Sequence, residues 1–441
     1  MKELFKNNSY KLLFTGNLVS EIGNSLMGIA MSFYILDLTG SSLSMGLFLF
    51  VVIGARIVFS PIAGVLVDRF NRVRVIYMTD YARAILYVGL ALFIATSPSI
   101  DKIILSLYIT GVLASINAAL FSPAMSSAIP EIVGEDLLQA ANGSSSIIQS
   151  LQSIIGVIAG AAFYAFFGIT WVIIINALSF GISGVSEMFI KTKYRKEKTK
   201  KETALQKEKT LVHDFVESLK YIKRKTGLFT IIGFSLLLNF AFTPLFAIGI
   251  PYLFNNDLAR INAEMEYAYT EVAFSVAMLV AGLIIGNIKI KNTHKIITIG
   301  LSLLTLSFAF IALTIHLASR RIVDFKTFYL MFIGGMLFLA AFSMVTNVPL
   351  NTGIVKIVDA DFRGRVFATM GAISNAAIPF SMLIGGVIIE YYNVSLLALF
   401  CVIIVLFPTV GVVTNKKVKV LIDSIDKHLS KNEESLEKSA V

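Results

Sequence analysis

Charge is scarce in this chain of 441 residues. Asp, Glu, Lys and Arg make up 15% of it, 56% of residues are hydrophobic, and the mean hydropathy is +0.78. Soluble domains carry about 25% charge, so a water-soluble globule is excluded. A disordered chain is excluded too, because it needs the opposite balance. Cysteine is reduced to Cys401 alone, which rules out a disulfide scaffold or a cysteine-rich metal site. The histidines His213, His294, His316 and His428 are scattered without metal-ligand spacing, so no metal and no other cofactor is expected. The sequence has no GxxxxGK[ST] loop, which argues against ATP as the energy source. It shows no Ser–His–acid pattern of a hydrolase, and an enzyme is not expected.

What the chain does have is apolar length. Twelve stretches approach the roughly 20 residues that cross a bilayer: 12–36, 43–66, 74–96, 103–122, 143–166, 168–190, 228–254, 266–288, 294–316, 327–348, 366–390 and 394–414. They are continuous rather than alternating, which disfavours a strand barrel. The expected fold class is an all-α membrane protein with twelve transmembrane helices in two six-helix, pseudo-repeated halves. The first apolar run continues past any short signal-peptide core, so it is expected to stay in the protein. With the N-terminus inside, 31 of the 38 Lys and Arg residues fall on cytoplasmic segments. That bias sets both termini in the cytoplasm of a multi-pass plasma-membrane protein. The net charge of +10 is therefore mostly topology. The bilayer is the expected partner, nucleic acid is not, and the chain is expected to be a monomer.

Segment 191–227 is the long polar break between spans, and it divides the chain into halves 1–190 and 228–415, with a tail at 416–441. Within the break, Val212, Phe215, Val216, Leu219 and Ile222 recur at helical spacing. Two readings stand: an amphipathic helix on the inner surface, or a solvated tether. The tail is charged and helical, with no function expected of it. The halves repeat. Gly64–Val73 parallels Gly286–Lys295, and 130–142 parallels 355–367, at nearly equal offsets. Duplicated membrane halves point to a transporter with its site near the midplane.

The loop after the second span reads Gly64-x-Leu66-x-Asp68-Arg69-x-Asn71-Arg72. Pro123-Ala124, Pro130-Glu131, Leu138 and Ala141-Asn142 form a second motif, and Arg363-Gly364-Arg365-Val366-Phe367 a third. On these residues the chain resembles the major facilitator superfamily, and within it the drug:proton antiporters that include macrolide-efflux and siderophore-export proteins. The family often has Gly where this chain has Asn71. The resemblance implies a cytoplasmic latch built from Gly64, Asp68, Arg69, Arg72, Arg363 and Arg365. In it Asp68 lies against the start of the eleventh span, where a helix dipole favours an anion. Gly156-x-x-x-Gly160 and Gly282-x-x-x-Gly286 are small-residue pairs for close helix packing. In the resembled fold they lie on helices that meet across the halves. The family's antiporter motif would have Pro at Val157 and Gly at Ala161.

Ionisable residues inside spans are costly and are functional candidates by default. Glu21 and Arg56 lie at matching depth, roughly 13–15 Å from the inner edge at about 1.5 Å per residue, and are expected to pair, either as a proton-coupling device or as a structural ion pair. Glu271 is a second proton candidate, near the start of the eighth span. Asp80 and Arg83 share a helix face and read as a local structural pair. Glu187 is expected to snorkel at a span end, and Glu390 to lie at the surface. Polar and aromatic residues within spans nominate a substrate cavity: Asn17, Ser25, Tyr34, Asn117, Gln149, Gln152, Asn239, Phe242 and Asn375. The leading expectation is a proton-coupled exporter of an amphiphilic small molecule, of the drug-efflux kind that confers antibiotic resistance. The alternatives are an uptake symporter of the same fold and a non-transporting membrane sensor or scaffold.

Overall fold

A helix satisfies its own backbone hydrogen bonds, which is what lets an apolar run enter lipid at all. The computed structural model describes residues 3–67, 69–134, 137–192, 211–288, 290 and 292–426, and among these there is helix and no strand. Eleven helices are long and apolar enough to cross a membrane. One of them, Ala140–Met188, is interrupted at Gly168, where φ is 75° and ψ is 176°. Glycine adopts that backbone without the steric cost a side chain would add. The break makes two spans of one helix, giving the twelve-helix fold.

The spans are α1 (Asn8–Thr39), α2 (Ser42–Val67), α3 (Arg72–Ala95), α4 (Ile100–Val133), α5 (138–167) and α6 (169–188). After the linker come α7 (Leu228–Asp257), α8 (Ala263–Asn287), α9 (Thr293–Ser319) and α10 (Phe325–Ile357). The last two are α11 (Ala360–Asn375 continued by Ile378–Tyr391) and α12 (Val394–Thr414). Several helices outrun the apolar stretch that announces them. α4 has 34 residues, about 51 Å at 1.5 Å each, against a hydrocarbon core of about 30 Å. Its extension past the expected end at 122 is held by the buried Ala124, Ala128 and Ile132.

Asparagines start four of the helices. Asn7, Asn71, Asn292 and Asn393 each accept the N–H three residues on, at 3.3, 3.1, 2.8 and 2.8 Å. Each satisfies an amide that helix geometry leaves orphaned. This explains the departure at Asn71: it caps α3, and Asn292, one residue before the position that aligns with Asn71, caps α9. Asp324 caps α10 through the Thr327 amide and hydroxyl, and those hydrogen bonds hold its carboxyl below the usual carboxylate range.

The chain forms two packed units, Met1–Glu202 with Pro251–Val272, and Thr203–Ile250 with Ala273–Val441. In the first, α1 lies close against α6 and α5. A Cβ at Gly23 would stand 2.5 Å from Asn176 Oδ1, and one at Gly160 would stand 3.0 Å from the backbone of Leu26. Gly156 likewise faces Ser25 of α1. The 251–272 segment packs onto α1. Asn255 Nδ2 donates to Asp37 Oδ1 at 3.0 Å, the Tyr164 hydroxyl donates to the other Asp37 oxygen, and Phe33 meets Tyr267 edge-on at 5.7 Å.

In the second unit the linker carries a helix, Leu211–Arg224, that is docked rather than tethered. Tyr221 stacks on Phe362 at 4.9 Å and its hydroxyl donates to Asp359 at 2.9 Å, while Arg365 pairs with Glu217 at 2.7 Å. Tail residues 416–426 are helical. Val418, Leu421, Ile422 and Ile425 are buried in one cluster with Ile222, Leu228 and Val366. Asp426 accepts the Thr293 N–H at the start of α9, where a carboxylate complements the helix dipole. Gly282 of α8 faces Met344 of α10, whereas the Cβ position of Gly286 is open.

Replacing Gly160 by Leu is expected to destabilise the first unit by about 1–3 kcal/mol through overpacking, measured as earlier thermal unfolding in detergent. Ile422→Ala, which empties a fully buried site, is expected to cost about 2–5 kcal/mol and to speed proteolytic cleavage within the 191–227 linker.

Candidate functional site

Helical spacing places a polar stripe along α5: Asn142, Ser145, Gln149 and Gln152 follow one another by three or four residues and share a face. The facing stripe of α4 mixes Ser122 and Ser126 with Phe121, Met125 and Ile129. On α1, Asn17 and Glu21 stand one turn apart. Together with Pro130, Leu138 and Ile148, these residues enclose a cavity of about 560 Å³ in the first unit. That size and mix suit a small organic ligand. Glu21 is the carboxylate of this lining, and Asn17, Gln149 and Gln152 are the sequence-nominated cavity residues that meet in it. Asn142, Ser145, Ser122, Ser126 and the apolar wall were missed. The signal for them was the i, i+3, i+4 register with Gln149 and Gln152. α5 changes to a wider π-turn at Gln152–Gly156, a local irregularity that often marks functional positions.

The other cavity nominees serve elsewhere. Asn117 accepts from Arg83 Nε at 2.5 Å and donates to the Thr79 carbonyl at 3.0 Å, so it joins α4 to α3. Asn239 of α7 donates to the Ser374 carbonyl at 3.1 Å and to Asn375 Oδ1 at 3.2 Å. This lies beside the break that precedes Pro379, which lacks an N–H for the helix ladder. Phe242 belongs to an aromatic cluster with Phe246 and Phe308, at 5.8 and 4.6 Å. Ser25 lies in the α1–α5 seam. Tyr34 does not line the cavity; it is half-buried further along α1.

The expected Glu21–Arg56 ion pair is not formed. Arg56 Nη2 donates instead to Ser122 Oγ at 3.3 Å, on the cavity wall. Matched depth fixed their height in the bundle but not the direction each side chain takes. Glu271 is not an exposed helix start: its Oε1 is shut off from solvent without a hydrogen-bond partner, and the side chain stands beside Tyr267. Glu187 does not snorkel. It is fully buried, and its Oε1 accepts from Ser183 at 3.2 Å. Asp80 and Arg83 are also buried, yet neither Asp80 oxygen has a hydrogen-bond partner. Glu390 is exposed.

Of the latch residues, Asp68 lies outside the described residues. Gly64 has open space at its Cβ position. Arg69 and Arg363 are exposed. Arg72 pairs with Glu131 at the end of α4, and Arg365 with Glu217 of the linker helix. Two residues counted as topology signals thus also tie helix ends together. Among the described residues no His, Cys, Asp and Glu cluster could hold a metal ion.

Comparison with known proteins follows this geometry. Macrolide efflux protein A of Streptococcus pyogenes is 23% identical over 405 residues, covering 88% of this chain and 92% of that protein. The enterobactin exporter EntS of Escherichia coli O1:K1 / APEC is 28% identical over 164 residues, 37% of this chain and 38% of that one. The fold matches that of a bacterial homologue of the iron transporter ferroportin in its inward-facing state. The TM-score is 0.68 at 12% identity, over 96% of this chain and 99% of that chain. The family model of the Major Facilitator Superfamily matches residues 13–319, and this multi-pass membrane protein, a transporter and not an enzyme, belongs to that superfamily.

Proposed function

We propose that the chain is a proton-coupled exporter of amphiphilic small molecules, working by alternating access in the plasma membrane with both termini in the cytoplasm. The observation that carries this reading is the lining of the α1/α4/α5 cavity. Amide and hydroxyl groups on α1 and α5 face an α4 wall in which Phe121, Met125 and Ile129 alternate with Ser122 and Ser126, and one carboxylate, Glu21, lies among them. A ligand that is part apolar and part polar fits both walls. A carboxylate in that lining can hold either a proton or a ligand cation, and exclusive occupancy is what couples the two movements. The efflux named for relatives such as macrolide efflux protein A supports the outward direction. In this scheme Glu21 is the coupling acid and Asn17, Gln149 and Gln152 orient the substrate. Asp68 acts as the latch on the cytoplasmic side together with the loop arginines, and Glu271 is a further proton acceptor.

The direct test is proton movement in vesicles on addition of macrolides and other amphiphilic amines. Glu21→Gln is expected to cut substrate-driven proton movement at least about tenfold, equivalent to about 1.4 kcal/mol. Intact coupling in that variant would overturn the assignment. Gln149→Ala is expected to weaken apparent substrate affinity by about 2–10-fold, the loss of one hydrogen bond of about 0.5–1.5 kcal/mol. A susceptibility screen across antibiotics and siderophores, in a strain lacking efflux pumps, compares wild type with Asp68→Asn. Wild-type cells are expected to tolerate at least one compound that Asp68→Asn cells do not. If no compound separates expressing cells from controls, drug export loses its support.

A further inference from the structure

Behind the cavity wall, where α3, α4 and α6 pack together, lies a second set of charges that the transport scheme does not use. Asp80 and Glu187 are both 0% exposed and Arg83 is 4% exposed. The Arg83 guanidinium is held between the rings of Phe121 and Phe180, 5.0 and 4.9 Å from their centroids, and donates Nε to Asn117 at 2.5 Å. It makes no ion pair with Asp80 within 4 Å. Glu187 spends Oε1 on the Ser183 hydroxyl. Its Oε2 and both oxygens of Asp80 are buried without a partner. The two carboxyls interact with each other across the α3–α6 contact, and the Ser183 hydroxyl stands beside both.

Two ionised carboxylates only accept hydrogen bonds, so neither can satisfy the other. With Arg83 as counter-charge, the cluster would also carry one uncompensated negative charge in a dry site, a cost of several kcal/mol or more. A single proton removes both faults. It makes one carboxyl a donor to the other, and it balances the three groups to zero. The remaining charged and titratable groups nearby are Glu21 on α1, Arg56 on α2 and Tyr87 on α3. Glu21 adds negative charge and Arg56 positive, so together they leave the balance unchanged. Gly16 of α1 presses on the same place, its Cβ position 3.3 Å from Glu187 Oε1 and within 3 Å of the Ser183 and Ser186 hydroxyls. That leaves little room for a hydrated cation.

We propose that Asp80 and Glu187 form a proton-binding site, sharing one proton between them with Arg83 as the fixed counter-charge. The proton comes from water, adds to one carboxylate oxygen and is hydrogen-bonded to the other; no other bond changes. Its use in transport, as a reservoir beside Glu21, rests on the proton-coupled reading above; its occupancy does not.

The test is infrared difference spectroscopy on the full chain in liposomes, free of substrate. Wild type is expected to show a protonated-carboxyl C=O band at neutral pH that shifts in deuterated water. Both Glu187→Gln and Asp80→Asn are expected to lose that band, each retaining one acid against Arg83 and an amide able to donate in place of the proton. The double variant leaves Arg83 unbalanced, and its melting temperature is expected to fall further than the two single changes add up to. The site is overturned if the wild-type band is absent, if it persists in both single variants, or if it appears only when sodium is withdrawn, which would identify a sodium site instead. Should one variant fail to fold, the other carries the same comparison. Wild-type vesicles without substrate-driven proton movement would remove the transport reading and leave the band to decide the site.

Discussion

A guanidinium kept away from water sets the terms on which three helices of the first unit meet. Arg83 can be buried only if something replaces its hydration, and the replacements come from three helices. Asn117 reaches from α4, Phe121 from the same helix and Phe180 from α6 cover its faces, and Asp80 and Glu187 supply opposite charge from α3 and α6. A residue that must satisfy so many partners at once fixes the rotation of each helix as well as its position. That rotation turns the serines of α4 toward the space that the polar stripe of α5 also faces.

The cavity is a product of register. Phe121 shows the economy of the arrangement: its ring covers Arg83 and also lines the cavity. The cavity and the buried charge thus share one side chain. Arg56 works from the opposite side through Ser122. Two cations excluded from the cavity lining are each one residue removed from it.

The spans were legible because lipid imposes a rule that sequence obeys locally: twenty apolar residues in a row have few other uses. The basic loops and the internal repeat could be read for the same reason. What failed required direction rather than height. Glu21 and Arg56 sit at one depth, but periodicity counted from a span end gives no azimuth, and Arg56 points to α4. Glu187 was placed at a span end and so read as snorkelling; it does lie in the last turn of α6, but that turn is covered by α1. Asn142, read only as a motif residue, and Ser145 were not nominated for the cavity because they sit where the apolar run begins while the helix begins earlier. The docking of the linker helix depends on Tyr221 meeting Asp359, residues 138 apart, and nothing local records that contact. Asn117 and Asn239 were rightly seen as polar residues inside spans; that each also bridges two helices is a matter of neighbours.

The first unit takes in residues 251–272 from beyond the linker, and the start of α9 is capped by Asp426, 133 residues later in the chain. Neither unit can therefore be finished in the order in which it is made. When the ribosome has released α6, Asp37 still awaits Asn255, and α1 remains without its full set of neighbours. When α9 has been inserted, the Thr293 N–H still lacks its acceptor until Asp426 arrives. Domains of most chains fold as they emerge; here the first unit stays incomplete until part of the second half has been synthesised, and the second stays incomplete until its own tail has followed. The protein is thereby committed to assembling as a whole.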